Sequence, residues 1–135
     1  GALLWGLRLV GVKPLLSALT PIFLGPTTCA QRPAVVAEIE GKFMAMRIPS
    51  VANGIRAITT RDAIAAQLGA IRCPTLVLVG AEDEPTPPSQ SEDIARRIPG
   101  AQLQIIPGSG HLAALETPEP VTAAVLRFVQ GLPAA

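Results

Sequence analysis

The chain changes its hydrophobic period about halfway along its length. Up to residue 60, apolar side chains recur at intervals of three and four, which predicts helices and no strand. Pro14 separates two predicted short helices, Pro33 suits the first position of a third, and Ser50 can cap a fourth. Residues 62–68 are predicted to form one more short helix.

From Pro74 onward the pattern is that of alternating strands and helices. Residues 75–79 form a continuous apolar run rich in β-branched side chains, which is typical of a strand covered on both faces. A capping box at 89–92 predicts the start of the next helix, and 102–106 is the second predicted strand. The last helix is predicted from near Pro118, with an inner face formed by Val121, Val125, Phe128 and Val129.

This order predicts two strands that lie side by side. A strand-helix-strand unit makes its strands parallel, with a right-handed crossover. Two strands cannot bury two apolar faces by themselves. Because 74–80 has the composition of an interior strand, we expect its other neighbour to lie outside this chain. The sequence also begins with Gly1 rather than Met, so we expect a processed or truncated product.

Two residues with catalytic chemistry follow the two predicted strands. Asp83 lies three residues after the first strand, and His111, the single histidine, ends the glycine-rich turn at 107–110. Since parallel strands end at the same edge of a sheet, both side chains should emerge together. An aspartate there can fix the imidazole tautomer and stabilise the imidazolium. Each residue alone could be ordinary solvated surface, but the pairing favours a functional site.

No nucleophile, metal site or cofactor site accompanies this pair in the sequence. None of the serines lies in G-x-S-x-G, and neither Cys29 nor Cys73 follows a strand into a helix. We expect both cysteines to be small buried residues in a reducing compartment. A single histidine argues against a metal site. Residues 108–113 match G-x-G-x-x-A but lack the following strand and acidic residue of a dinucleotide site.

Composition and charge limit the partners that we expect. The 49% apolar content is ample for the core of one domain, and a net charge of +1 does not favour nucleic acid or an anionic membrane. Arg8 and Lys13 interrupt the apolar N-terminal run, and prolines break it, so no span of about 20 apolar residues remains. No basic segment precedes it, as a signal peptide would require. We therefore expect a cytoplasmic protein.

Four motifs resemble the C-terminal part of the α/β-hydrolases: I-x-C-P-T-L-V-L-V-G-x-x-D-x-x-T-P-P, R-I-P-G-A-x-L, I-P-G-S-G-H and L-E-T-P-E. The resemblance is strongest to 3-oxoadipate enol-lactonases and small bacterial carboxylesterases, and it is specific over about 61–130. It implies a partial α/β-hydrolase fold. Residues 1–60 would be a helical cap, and 61–135 would hold the last two parallel strands with their helices.

The resemblance also implies roles for the pair. Asp83 would be the acid and His111 the base of a Ser-His-Asp triad, in a family whose chain order is nucleophile, acid, base. The substrate would be a small ester or lactone, and no cofactor would be needed. Apolar cap residues would shape its pocket, namely Trp5, Phe23, Phe43, Met44 and Met46.

The resemblance places the nucleophile in an N-terminal half that this chain lacks. That half would come from the same parent chain or from a partner, so we expect this chain alone to be inactive. One alternative is a non-catalytic interaction fragment whose sheet edge docks on a partner supplying those strands. Another is C–C hydrolase, haloperoxidase-like or dehalogenase chemistry with the same acid and base.

Overall fold

A computed structural model describes residues 12–133 of the chain. Its elements, in chain order, are α1 (Val12–Phe23), α2 (Pro26–Gln31), α3 (Pro33–Met44), α4 (Ile48–Thr60), a 3₁₀ helix (Ala65–Ala70), β1 (Leu76–Gly80), α5 (Pro88–Arg97), β2 (Gln102–Ile106), α6 (Ala113–Glu116) and α7 (Pro118–Gln130). The described residues before position 61 are therefore helical and free of strands, as predicted. The helix expected at 62–68 is instead the 3₁₀ helix, which begins three residues later.

Proline, rather than serine, begins most of these helices. A proline occupies the first or second position of α2, α3, α4, α5 and α7, because its fixed φ suits the first turn and no N–H is needed there. Two capping predictions are therefore wrong. Helix α4 begins at Ile48 rather than after Ser50, and α5 begins at Pro88, ahead of the predicted box at 89–92. Pro14 lies in the first turn of α1 rather than between two helices.

The two strands form a parallel sheet in the predicted arrangement. Leu76 pairs with Gln102 at one end of the register, and Gly80 pairs with Ile106 at the other. Helix α5 crosses between the strands and packs on both, and α7 also contacts both. Side chains from these elements, together with Ile98 at the end of α5, form the core around the sheet, namely Val79, Ile98, Ile106 and Ala124. The predicted order of helices followed by two parallel strands is confirmed.

Apolar surface remains open on α7 and along β1. Val121 and Phe128 are half-buried as expected, whereas Val125 is 39% exposed and Val129 is 54% exposed. The inward prediction is wrong for these two valines because α7 packs on a sheet of two strands, which does not extend over that face. Full burial was also predicted for β1, but its first three residues are only half-buried.

Gly80, the last residue of β1, lies against the histidine loop, which we define as residues 107–112. A Cβ atom at this position would overlap the backbone carbonyl groups of Ser109 and Gly110. Backbone atoms cannot rotate away as the end of a side chain can. The glycine therefore allows the strand end and the histidine loop to approach closely.

Gly80→Ala is expected to lower the free energy of unfolding by about 2–3 kcal/mol, because overpacking forces the histidine loop away from the strand. Gly54→Ala is the matched control, since a Cβ there would meet nothing within 4 Å. That substitution in α4 is expected to raise the free energy of unfolding by about 0.5–1 kcal/mol. Urea denaturation followed by circular dichroism measures both. Equal effects of the two substitutions would contradict this close approach.

Candidate active site

The turn after β1 and the histidine loop after β2 are joined by hydrogen bonds. We call residues 81–87 the acidic turn. The N–H of Ala81 donates to the carbonyl of Ile106 at 2.8 Å, and the N–H of Glu82 donates to the carbonyl of Ser109 at 2.9 Å. These bonds continue the sheet ladder beyond the last strand pair. They bring the two loops together at the carboxyl edge of the sheet.

Asp83 and His111 meet at this edge, as the sequence predicts. Nδ1 of His111 lies 3.1 Å from each carboxylate oxygen of Asp83. The Asp83 side chain is 6% exposed, whereas the imidazole is 33% exposed. The carboxylate is therefore held behind the ring, and the ring keeps an open side toward solvent.

Thr86, which the sequence analysis missed, orients the carboxylate of Asp83. Its N–H donates to Oδ1 at 2.9 Å, and its hydroxyl donates to Oδ2 at 2.9 Å. The same hydroxyl oxygen lies 3.1 Å from Nδ1 of His111. An ionised carboxylate only accepts hydrogen bonds, so the hydroxyl proton points to Asp83 and a lone pair faces the ring.

The surroundings of Nδ1 determine which nitrogen of His111 carries the proton. Nδ1 faces three acceptor oxygens, two from Asp83 and one from Thr86. This arrangement favours the tautomer with a proton on Nδ1 and a free lone pair on Nε2. An imidazole in that state can accept a proton at Nε2 from a neighbouring hydroxyl group.

Phe23 is the predicted pocket residue that the structure places against the imidazole. The two ring centroids lie 5.4 Å apart with planes tilted by 53°, and the N–H of His111 donates to the carbonyl of Phe23 at 2.9 Å. Phe43 is half-buried at the end of α3, while Met44 and Met46 are exposed there and in the following turn. Trp5 lies outside the described residues. A pocket role for all five residues, Phe23 included, stays a prediction.

The described serine and cysteine side chains nearest to this site do not offer a nucleophile. Ser109 is fully buried, and its hydroxyl donates to the carbonyl of Ile106 at 3.2 Å. Cys29 and Cys73 are both exposed, so the expectation of buried cysteines is wrong; they lie on the surface of α2 and in the turn before β1. Desolvation, and then the charge of Glu116, raise the pKa of the Cys29 thiol. A raised pKa disfavours the reactive thiolate.

Glu116 is a second residue that sequence analysis missed. It ends α6, is 2% exposed, and accepts hydrogen bonds from the backbone N–H groups of Gly25, Gly110 and Leu112. Two of these amides flank His111 in the chain. A buried carboxylate therefore lies directly behind the histidine loop.

Neither a metal-binding cluster nor a membrane-spanning helix is found among the described residues. Within 12–133, no group of three or more His, Cys, Asp and Glu side chains is arranged to hold a metal ion. Over the same range, no helix combines the length and the apolar character needed to cross a membrane.

Helices followed by two parallel strands, with Asp83 and His111 paired at their carboxyl edge, form the arrangement that the resemblance to α/β-hydrolases predicts. The model of the family described as serine aminopeptidase, S33, matches residues 13–118. The chain belongs to that family. The predicted α/β-hydrolase resemblance is therefore confirmed.

Individual relatives agree with this assignment. The chain is 45% identical over 64 residues to RutD of Caulobacter sp. (strain K31), which is named as a candidate carbamate hydrolase. The structure of this chain resembles that of a thermophilic esterase from Thermogutta terrifontis, with a TM-score of 0.87 and 31% identity. It also shares the fold of the enol-lactonase from Burkholderia xenovorans LB400, with a TM-score of 0.83 and 24% identity.

The chain spans only part of each of these proteins. The match to RutD covers 47% of this chain and 24% of RutD. The esterase match covers 94% of this chain and 47% of the esterase, and the enol-lactonase match covers 94% and 48%. This chain therefore corresponds to about half of each solved hydrolase.

Proposed function

We propose that this chain is the C-terminal part of an α/β-hydrolase that cleaves carboxylic esters or lactones by a Ser-His-Asp mechanism. Asp83 is the triad acid, His111 is the triad base, and the serine belongs to an N-terminal half outside this chain. One observation carries the proposal: Nδ1 of His111 lies 3.1 Å from both oxygens of a buried aspartate, while the ring stays open to solvent. Family membership and 31% identity to an esterase support the same class.

In the proposed mechanism, the serine hydroxyl oxygen attacks the substrate carbonyl carbon, and Nε2 of His111 accepts the hydroxyl proton. Asp83 accepts the Nδ1–H bond, which holds the ring in that tautomer and stabilises the imidazolium. The imidazolium returns the proton to the departing alcohol, and an acyl-serine ester remains. A water molecule, deprotonated by the same imidazole, then attacks this ester. The imidazolium returns the proton to the serine oxygen as the acyl–oxygen bond breaks and the carboxylic acid is released.

Residues 1–60 form the cap and 61–135 belong to the core in this proposal. The contact between Phe23 and the imidazole supports an apolar wall beside the base. Phe43, Met44, Met46 and Trp5 would extend that wall around a small acyl group. The substrate is a small molecule, and no nucleic acid or membrane partner is proposed. A cytoplasmic location is included because exposed free thiols, Cys29 and Cys73, suit a reducing compartment.

A second candidate function is a non-catalytic interaction fragment. The observation that favours it is the open sheet, since β1 and β2 pair only with each other in the described structure. Each strand therefore offers an edge on which a partner strand could add. In that case the partner supplies the remaining strands, and the Asp83–His111 pair holds the two loops together without catalysis.

The two candidates are separated by assaying the complete reading frame that encodes this chain. We expect its product, which we call the complete hydrolase, to release acid from activated short-chain esters or from lactones. Halide release from a haloalkane tests the dehalogenase alternative. Cleavage of a carbon–carbon bond in a diketone tests the C–C hydrolase alternative. A reading frame without a nucleophile elbow, or a product inert toward every substrate, would contradict the proposed activity and favour the interaction fragment.

A further inference from the structure

Glu116 is a buried carboxylate whose recorded hydrogen-bond partners are all backbone amides. Its Oε2 accepts the N–H of Gly25 at 2.8 Å, and its Oε1 accepts the N–H of Leu112 at 3.1 Å. The N–H of Gly110 lies 2.9 Å from Oε1 and 3.0 Å from Oε2. Because a buried charge without hydrogen bonds is costly, these amides and the carboxylate require one another.

The amides that Glu116 binds surround His111 on both sides. Gly110 precedes the histidine and Leu112 follows it, so the carboxylate restrains both peptide groups next to the catalytic residue. Gly25 lies two residues after Phe23, whose carbonyl accepts the N–H of His111 at 2.9 Å. One carboxylate thus fixes the backbone of His111 and the segment that covers it.

A second glutamate ties the acidic turn to the same segment. Glu82, the neighbour of Asp83, accepts hydrogen bonds from the N–H of Thr27 at 2.9 Å and from the hydroxyl of Thr27. On the other side, the guanidinium of Arg32 donates to the carbonyl of Gly108 at 2.9 Å. The stretch from Phe23 to Arg32 therefore contacts the turn of the acid and the loop of the base.

The packing at this junction is close enough to require glycine on both sides. A Cβ atom on Gly25 would come within 2.9 Å of the N–H nitrogen of Gly110. A Cβ atom on Gly110 would meet the backbone of Leu24 and Gly25. Backbone therefore lies directly on backbone, and the Glu116 carboxylate bridges the two glycines.

We propose that Glu116 is a positioning residue for His111, which holds the imidazole in line with Asp83 through the backbone amides of Gly25, Gly110 and Leu112. The inference rests on the proposed function only in that it makes His111 the catalytic base. It also makes the stretch from Phe23 to Arg32 part of the framework of the acid–base pair, in addition to any role as a cover.

Glu116→Gln tests this inference directly in the complete hydrolase. An amide has one acceptor oxygen, and its NH₂ group would face a backbone N–H donor, so at least one of the three amides loses its partner. We expect the Nδ1 proton of His111 to exchange with solvent on the order of tenfold faster than in the unsubstituted protein. Nitrogen-15 NMR of the histidine side chains reads this proton, and the signal that is missing in His111→Ala identifies it as that of His111.

The matched control is Glu92→Gln, the same change at an exposed position on α5. It should leave the imidazole signals unchanged. Glu116→Asp keeps the charge but is one methylene shorter, and an increase in exchange smaller than that of the glutamine variant is expected. If Glu116→Gln does not fold, the same Nδ1 exchange measurement on Glu116→Asp tests the inference.

A folded Glu116→Gln or Glu116→Asp variant with unchanged Nδ1 exchange and imidazole shifts would overturn the inference. A loss of global stability alone would then show a structural role only. Failure of the proposed function would be seen separately, in the ester and lactone assays of the complete hydrolase. If the imidazole responds to Glu116 but the complete hydrolase cleaves no ester or lactone, the positioning stands and the activity does not.

Discussion

His111→Ala in the complete hydrolase is expected to lower kcat for ester cleavage by about 10⁴-fold or more, with a much smaller effect on KM. In the proposed mechanism the imidazole supplies the base for attack and the acid for the leaving group, so its loss would affect both halves of the reaction. Ground-state binding of the substrate does not depend on that proton transfer. Steady-state kinetics with an activated ester measures the loss.

Asp83→Asn is the companion substitution in the same assay. Oδ1 must continue to accept the N–H of Thr86, which turns the new NH₂ group toward Thr86 Oγ1 and Nδ1 of His111. A donor facing Nδ1 forces the proton onto Nε2, so the imidazole cannot act as a base, and a loss of about 10⁴-fold in kcat is expected. Asp93→Asn, which removes an exposed ion pair with Arg97 on α5, is the matched control and should cost little. Turnover by His111→Ala within tenfold of the wild-type rate would contradict the proposed roles of Asp83 as the triad acid and His111 as the base.

The 135-residue chain by itself is expected to show no turnover of an activated ester above the uncatalysed rate. It is also expected to self-associate, because its sheet has two open edges and apolar side chains are exposed on α7 and just after it, namely Val125, Leu126, Val129 and Leu132. Sedimentation velocity, together with an ester assay on the same sample, measures both properties. A monomer that turns over efficiently, and loses that turnover in His111→Ala, would place the nucleophile within these 135 residues.

Features that depend on local sequence were predictable. The β-branched run before Gly80 and the glycine turn before His111 determine their own backbone conformations. A separation of 28 residues between Asp83 and His111 corresponds to one crossover helix and one strand, so their meeting at one sheet edge followed from the topology.

Features that depend on tertiary contacts were not predictable. Glu116 follows a short apolar run, and nothing in that pattern distinguishes a buried glutamate from a solvated one. Its burial comes from Gly25, which lies 91 residues away in the chain. The exposure of Val125 and Val129 depends on the width of the sheet, which an amphipathic pattern does not encode. Ser50 was expected to cap a helix because capping rules favour serine, but Pro49 allows an earlier start.

Thr86 is an intermediate case. The spacing D-x-x-T is local and visible in the sequence, and a threonine three residues after an aspartate can bond back to its carboxylate. Its second role, an acceptor oxygen 3.1 Å from Nδ1 of His111, requires the fold. The sequence therefore indicated Asp83 and His111 as a pair, and the structure added Thr86 and Glu116, which hydrogen-bond to Asp83 and to the backbone beside His111.

The central claim is that Asp83 and His111 activate a serine that lies outside this chain. The most direct test is to label the complete hydrolase with a fluorophosphonate, which bonds covalently to an activated serine with loss of fluoride, and to locate the adduct by peptide mass spectrometry. We predict an adduct on a serine N-terminal to Gly1, and labelling slowed by about 10³-fold or more in His111→Ala. An adduct on a serine within these 135 residues, or equal labelling of the His111→Ala variant, would contradict the claim.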